Sequence, residues 1–531
     1  PNYARKPRKQ PDLQVNVLPA PIEGIDGRLN LASNNPLNAV YAYNIVPSEY
    51  GLRTRLGYRE WAINLETAPG LGFGVRTLIP YTALSGQAAS KLFAVTNEGI
   101  WDVSNTTDTP VLVQTFPITT GDAGWGNFAH YTTDAGNEIV FYADEANGLY
   151  EYSPDTDNWA ISLGILNVSR ADIVFVVVHK QRIWLVERNT PWAWYLPIGS
   201  PNGAATKFSF GAKFRRGGDL VGLYNWTIDG GEGVDDYLVA VGRGGDVLPY
   251  KGEDPSSAST WSGVGTFFVG QIPVGRRCAA EDGGDLNIVC EAGFVALTDL
   301  LRGDVWNDEA DVVSLKIARF IRNDFNQYSG DQGWGIQAYP NEGSLIINTP
   351  QRADDTFLQY SYNYATKGWG QWRGVPGQVF ESWLGAFVVG TADGRVLRMD
   401  RTADEVPYGG GVGKPIEFSF LQNYTDGGAP GRFKFPKFMR PNFLSTQQVT
   451  LSTKFLFDYD VTALLRAPLP DPGAVGDAWD TGVWDDAIWQ ASDPVGRSVT
   501  RGGWGTGRTV AIAMRGEVVA RTTLVSTDVM W

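Results

Sequence analysis

Seven times between Lys91 and Asp400 the chain repeats one local pattern: an apolar stretch, a short turn bearing Gly or Asn, and a second apolar stretch. It reads KLFAVTNEGIWDV from Lys91, EIVFYADEANGLYEY from Glu138, RIWLVERNTPWAWYL from Arg182 and DYLVAVGRGGDVLPY from Asp236. It returns as DLNIVCEAGFVALTD from Asp285, SLIINTPQRADDTFLQYSY from Ser344 and AFVVGTADGRVLRMD from Ala386. Each copy has the alternation of an antiparallel pair, and Gly at the turn admits the positive φ that closes a hairpin. A lone hairpin is marginal in water, so these units need neighbours to bury their faces.

Turn centres lie roughly 40 to 60 residues apart, a spacing that fits the blades of a β-propeller. Radial stacking buries both faces of every sheet and leaves only short edges. The expected fold is mainly β: a propeller of six or seven blades over residues 66–402, one hairpin being an outer pair or part of the ring closure. A set of unrelated sandwiches is the competing arrangement. The 63 Gly, 30 Pro and 12% aromatic residues agree with many short strands and tight turns.

Two segments break the pattern. Residues 307–329, NDEADVVSLKIARFIRNDFNQYS, place Ala310, Val313, Ile317, Phe320 and Ile321 at helical spacing, with acids first and arginines later, which predicts one amphipathic helix inserted between blades. ADEVPYGGGVGKP, 403–415, has the composition of a linker. Beyond it, 416–531 reads as a second β unit, a sandwich-like platform. Residues 1–65 carry too little strand pattern to fold alone and are expected to run as an extended arm along the platform or the propeller rim.

A formal charge of −14 argues against a surface built to hold nucleic acid. Such a surface repels the phosphate backbone and suits simple solubility. Cys278 and Cys290 are too few for a disulfide scaffold and read as small apolar residues in neighbouring strands, a bridge across a hairpin being the alternative. His130 and His179 stand far apart with no ligand spacing around them, so no metal or other cofactor is expected. The longest apolar run, Ile173 to Val178, is far short of the roughly 20 residues of a membrane span. Arg5, Lys6, Arg8 and Lys9 have no apolar stretch behind them, so they do not read as a secretory signal; they are candidates for contact with DNA or an acidic partner, or for a solvated tail.

Motifs for chemistry are missing. SPDTDNW at Ser153 is a single, Gly-less relative of the Asp box of sialidase propellers. The pairs Asp235 and Asp236, Asp354 and Asp355, and Asp485 and Asp486 fall in turn-like contexts, whereas a glycosidase needs two carboxylates across a cleft. DGGEGVDD at Asp229 and DPGAVGDAWD at Asp471 lack calcium-loop spacing. GGGVG at Gly409 lacks the Lys-Ser/Thr of a phosphate loop, and no Gly-x-Ser-x-Gly occurs. The chain is therefore expected not to be an enzyme.

Both flanks carry a resemblance. LPAPIEGIDGRLNLASNN from Leu18 leads to Asn44, the loop VPSEYG, and Arg53, Arg55, Gly57 and Tyr58; near the other end AWDTGVWDDAIW spaces Trp479, Trp484 and Trp489 five apart, followed by RGGWGTGRTVAIAMRG from Arg501. Together these segments resemble the tail nozzle, or tail tubular protein B, family of short-tailed bacteriophages and related propeller-containing tail hub proteins. The resemblance implies a structural virion protein of the tail, assembled in the cytoplasm of a host bacterium. Six copies would form a ring below the portal and adaptor, retain the genome before infection and conduct the DNA without reading its sequence. Tail fibres or a central needle would attach to it. Candidate interface aromatics are Trp479, Trp484, Trp489 and Trp531. The contrasting reading is a carbohydrate-active or receptor-binding propeller, a depolymerase or adhesin; a generic propeller scaffold in a cellular complex is the third.

Overall fold

The computed structural model describes residues 15–28, 31–33, 35–68, 74–229, 234–303, 315–447, 449–461, 495–498, 501–503 and 505–531. The chain is mainly β. Its contacts divide it into a central unit, Leu56–Lys414, and a flanking unit drawn from the residues before Leu56 and after Lys414.

The central unit contains seven antiparallel sheets in chain order. All seven repeated segments form hairpins, and each supplies the second and third strands of one sheet. The first sheet is Thr77–Tyr81, Lys91–Val95, Gly99–Asp102 and Val111–Thr115. The second to fourth sheets begin with Gly126–Thr132, Ile173–His179 and Leu220–Asp229. The fifth, led by Ala279–Asp282, has three strands, and the sixth begins with Gly335–Tyr339. The seventh holds Gly377–Trp383, Ala386–Thr391, Val396–Arg401 and, fourth, Gly57–Ala62.

Each sheet packs on the next, and the seventh also packs on the first. The period of two explains how. In the third sheet Trp184 and Val186 enter a core shared with the fourth, while Ile183 and Leu185 enter one shared with the second. In the first sheet Leu92 and Ala94 face the seventh, and Phe93 and Val95 face the second. Strands apolar on both faces must be covered on both. Trp184, Trp226 and Trp369 are fully buried, and burying a large apolar side chain stabilises by about 1.5–3 kcal/mol.

Gly57–Ala62 lies antiparallel to Val396–Arg401, with Leu397 opposite Glu60 and Arg398 opposite Arg59. Trp61 fixes it: its indole N–H donates to the Val103 carbonyl at 2.9 Å, its ring meets Trp383 edge-on, and Arg59 and Arg398 lie 5.1 and 5.2 Å from its centroid. Gly57 is required because a Cβ there would stand 2.1 Å from the Ala403 carbonyl oxygen.

The fifth sheet is flanked by helices Leu297–Arg302 and Leu315–Tyr328. Of the helix expected over 307–329, residues 315–328 are helical and 304–314 lie outside the described residues. It buries Leu315, Ile317, Ala318, Ile321 and Phe325 and packs beside Gly293–Ala296, where most of the other sheets have a fourth strand. Asp324 ties it to the sixth sheet, accepting from Tyr360 at 2.6 Å and Arg352 at 2.9 Å. Cys278 and Cys290 are buried free thiols with no bridge between them.

The Gly-rich stretch 403–415 forms a closed loop over most of its length: Asp404 and Lys414 exchange backbone hydrogen bonds at 2.8 and 2.6 Å, and the Tyr408 N–H donates to Glu60. The division between the two units falls at the end of this stretch; its Gly and Pro mark a loop at a boundary without saying what closes it.

In the flanking unit Asn38–Tyr43, Ile416–Gln422, Val510–Val518 and Thr450–Phe457 make one sheet in that order, with Gly24–Ile25 parallel to the first of these strands. A second sheet is built on Thr522–Met530, which pairs with Phe438–Ser445 on one side and with Val15–Pro19 and Gly51–Thr54 on the other. Residues expected as an extended arm thus contribute paired strands, and Gly57–Ala62 belongs to the central unit.

Candidate functional site

The first strands of all seven sheets line one cavity of about 360 Å³. Side-chain amides hold several of these strands together. Asn127 donates to the Val176 carbonyl at 2.7 Å and accepts from its N–H at 3.0 Å. Asn225 donates to the Val178 carbonyl, and Asn348 donates to the carbonyls of Gln378 and Gly333. Between the amides the wall is apolar, with Phe128, Val177, Leu223, Ile336, Val379 and Phe380.

At the end where these strands begin, Arg276 and Arg277, just ahead of Ala279–Asp282, reach other sheets. Arg276 pairs with Glu145 of the second sheet at 2.6 Å and donates to the Leu220 and Val221 carbonyls of the fourth. Arg277 donates to the Arg76 carbonyl beside the first sheet at 2.6 Å, with its guanidinium 5.2 Å from the Trp125 ring. On the wall of the seventh sheet Glu381 Oε1 accepts from Gln337 Nε2 at 2.9 Å and from the Ser382 N–H at 3.0 Å.

Burial sets the electrostatics. It pushes the Glu381 carboxyl up to about 7, against the opposing pull of the Ser382 N–H and the Arg277 charge. It brings Arg277 down to about 10, opposed by Tyr142, Glu381 and Glu145. Arg277 is therefore a cation at neutral pH. Glu145 is raised by burial and lowered by Arg276. Two arginines, Arg276 and Arg277, and two carboxylates, Glu281 and Glu381, on an otherwise largely apolar wall suit binding.

Most residues singled out from the sequence fall elsewhere. Arg5, Lys6, Arg8, Lys9, Trp479, Trp484 and Trp489 lie outside the described residues, as do Asp485 and Asp486. Trp531 is half-buried. Asp354 and Asp355 occupy an exposed turn, and Asp236 accepts from Thr227 at 3.0 Å. Asp157 of SPDTDNW sits in the turn between Gly148–Ser153 and Asn158–Ile161, held by Tyr152 at 2.8 Å and Lys91 at 3.1 Å. His179 meets Asn225 at 2.8 Å, and among the described residues no group of three metal-ligating side chains occurs. Trp192 and Trp194 share a strand face, but Lys207 lies 3.4 and 4.9 Å from their ring centroids and covers them. Arg276, Arg277, Gln337 and Glu381 carry no motif; the available signal is Glu381 as the one charged residue of the strand GQVFESW.

No protein-family profile matches the chain, and no curated protein sequence matches it. Among solved structures it is similar to the extracellular domain of a hybrid two-component system from B. thetaiotaomicron, at 12% identity and TM-score 0.39, over 64% of this chain and 40% of that one. It is also similar to the computationally designed Ika8 protein, at 10% identity and TM-score 0.33, over 61% of this chain and 83% of that one. PorZ, a surface component of the type-IX secretion system of Porphyromonas gingivalis, matches at 10% identity and TM-score 0.35, over 69% of this chain and 44% of that one. The chain thus spans under half the length of the first and third of these proteins.

Proposed function

We propose that this chain is a structural protein of a short-tailed phage virion, a tail nozzle or hub, and not an enzyme. In this reading the central unit is a seven-bladed β-propeller closed by Gly57–Ala62, and the flanking unit is a sandwich-like platform. Six copies form a ring beneath the portal and adaptor that holds back the genome and then conducts it, with fibre or needle proteins attached. The tail of the virion, assembled in the bacterial cytoplasm, is its place of action.

The observation that carries the reading is the use the fold makes of the resembling N-terminal segment. Asn44 and Arg55 bond to each other, Gly57 has no room for a side chain, and the Tyr58 hydroxyl donates to the Gly374 carbonyl at 3.2 Å. These residues build architecture, which is what a shared assembly role would preserve in a sequence signature. The 360 Å³ cavity within one chain has the size of a small-molecule site. A duplex conduit therefore has to be formed between copies, in agreement with a ring, and an acidic chain lining it would repel the phosphate backbone. The carbohydrate-active alternative has exposed aromatics in Tyr50 and Phe435, but neither lines the cavity of the central unit, and the carboxylates Asp354 and Asp355 share one exposed turn and do not face each other across a cleft.

Native mass spectrometry of the full chain, alone and mixed with portal and adaptor proteins of a short-tailed phage, tests the proposal. A sixfold complex is the expected result. A chain that stays monomeric with the adaptor while hydrolysing or binding surface glycans would overturn it.

A further inference from the structure

We propose that the cavity enclosed by the seven inner strands binds a small zwitterion with an apolar body, of the class of a free α-amino acid bearing an aliphatic or aromatic side chain. The inference goes beyond the tail reading and does not depend on it.

The geometry supplies three complementary parts. Arg277 uses Nη2 on the Arg76 carbonyl, and its remaining N–H groups have no acceptor among the described residues. Glu381 engages Oε1 with Gln337 and Ser382, and its Oε2 accepts from no described residue. Both residues line the cavity, whose other walls include Phe128, Val177, Leu223 and Phe380. A guanidinium with spare parallel N–H groups is a carboxylate receptor, and a spare carboxylate oxygen is an ammonium receptor. About 360 Å³ falls in the range of small-ligand sites.

Electroneutrality selects the class. Of the four charged residues lining the cavity, Arg276 is already paired with Glu145 and Glu281 is exposed to solvent, which leaves Arg277 and an ionised Glu381 to balance each other. A simple carboxylate would leave the site net negative, and a simple amine would leave it net positive. A zwitterion pairs with both residues and leaves no excess charge, while its apolar body covers the phenyl and aliphatic wall.

Isothermal titration calorimetry of the full chain tests this with L-phenylalanine and L-leucine as probes. The comparators are 3-phenylpropanoate, which lacks the ammonium, and phenethylamine, which lacks the carboxylate. The expected result is saturable 1:1 binding of at least one amino acid, with each comparator at least tenfold weaker. Glu381→Gln, nearly isosteric, should weaken amino-acid binding tenfold or more, and so should Arg277→Gln. If Arg277→Gln does not fold, Glu381→Gln and the cavity-filling Val177→Phe carry the test, and both should lose binding with an unchanged circular dichroism spectrum. Absence of binding by both amino acids overturns the proposal. Equal binding of 3-phenylpropanoate, or retained affinity in Glu381→Gln, overturns the zwitterion assignment.

Discussion

Arg55 holds Asn44 at two points: its Nε donates to the Asn44 side-chain oxygen at 2.9 Å and its backbone N–H to the Asn44 carbonyl at 3.2 Å. Asn44 stands between Asn38–Tyr43 and Ile45–Ser48, with φ of 57°, where the chain passes from one sheet of the flanking unit to the other. Its amide also donates to the Glu417 carbonyl at 2.8 Å. Asn tolerates this left-handed geometry better than most residues, and its side chain can serve both neighbours at once.

Asn44→Ala removes those side-chain bonds and adds backbone strain, so it should lower stability by about 3 kcal/mol. Asn44→Gly loses the bonds but relieves the strain, recovering about 1 kcal/mol. Urea unfolding of the two variants checks the order. Equal losses would mean that the left-handed backbone contributes nothing.

Gly57→Ala forces a methyl group to within 2.1 Å of the Ala403 oxygen, a backbone atom that cannot rotate aside. A loss of about 3 kcal/mol and poor soluble yield are expected. Gly330→Ala, where nothing lies within 4 Å of the added carbon, should change stability by less than about 0.5 kcal/mol. Thermal melts of the pair provide the comparison.

Trp61→Ala should be among the most damaging single changes in the central unit, at about 3–5 kcal/mol, because it empties the core between the first and seventh sheets. Trp61→Phe should lose less, keeping ring contact with Trp383 while leaving the Val103 carbonyl without its indole donor. Chemical denaturation followed by the remaining tryptophans reads both.

Glu381 gives a pH signature. Its folded carboxyl is raised to about 7 from 4.5, so the folded state holds the proton more tightly than the unfolded chain. The associated stability is complete below pH 4.5 and is lost as pH rises through about 7. Glu381→Gln should therefore raise stability at pH 8 by on the order of 2 kcal/mol and change little at pH 4.5. Melting temperatures across that range would show the difference growing with pH; a constant difference would remove Glu381 as its source.

The hairpins were legible because a period of two and a turn glycine are local signals; KLFAVTNEGIWDV announces its strands within thirteen residues. The partner of Gly57–Ala62 was not, since nothing local in GYREWA points to residues 396–401. The helix was readable at Ile317 and Ile321 from spacing alone, but its salt-bridged Asp324 needed the fold to bring Arg352 to it. Arg277 and Glu381 are illegible for the same reason: each is an ordinary charged residue until seven strands converge. Composition marks 403–415 as a boundary, and the two units divide at Lys414 and Pro415, but the flexibility of glycine does not disclose the backbone bonds between Asp404 and Lys414.

The seventh sheet joins the two ends of the central unit in time as well as in space. Arg59 leaves the ribosome 341 residues ahead of its partner Asp400. At synthesis rates of about 5–20 residues per second, that interval is roughly 20 to 70 s. Throughout it, Gly57–Ala62 has no mate and the first sheet has one apolar face uncovered. Pairing over such a separation is intrinsically slow. Folding of this chain should accordingly finish after translation, and its yield should depend on how well the cell shields the early sheets while the last one is being made.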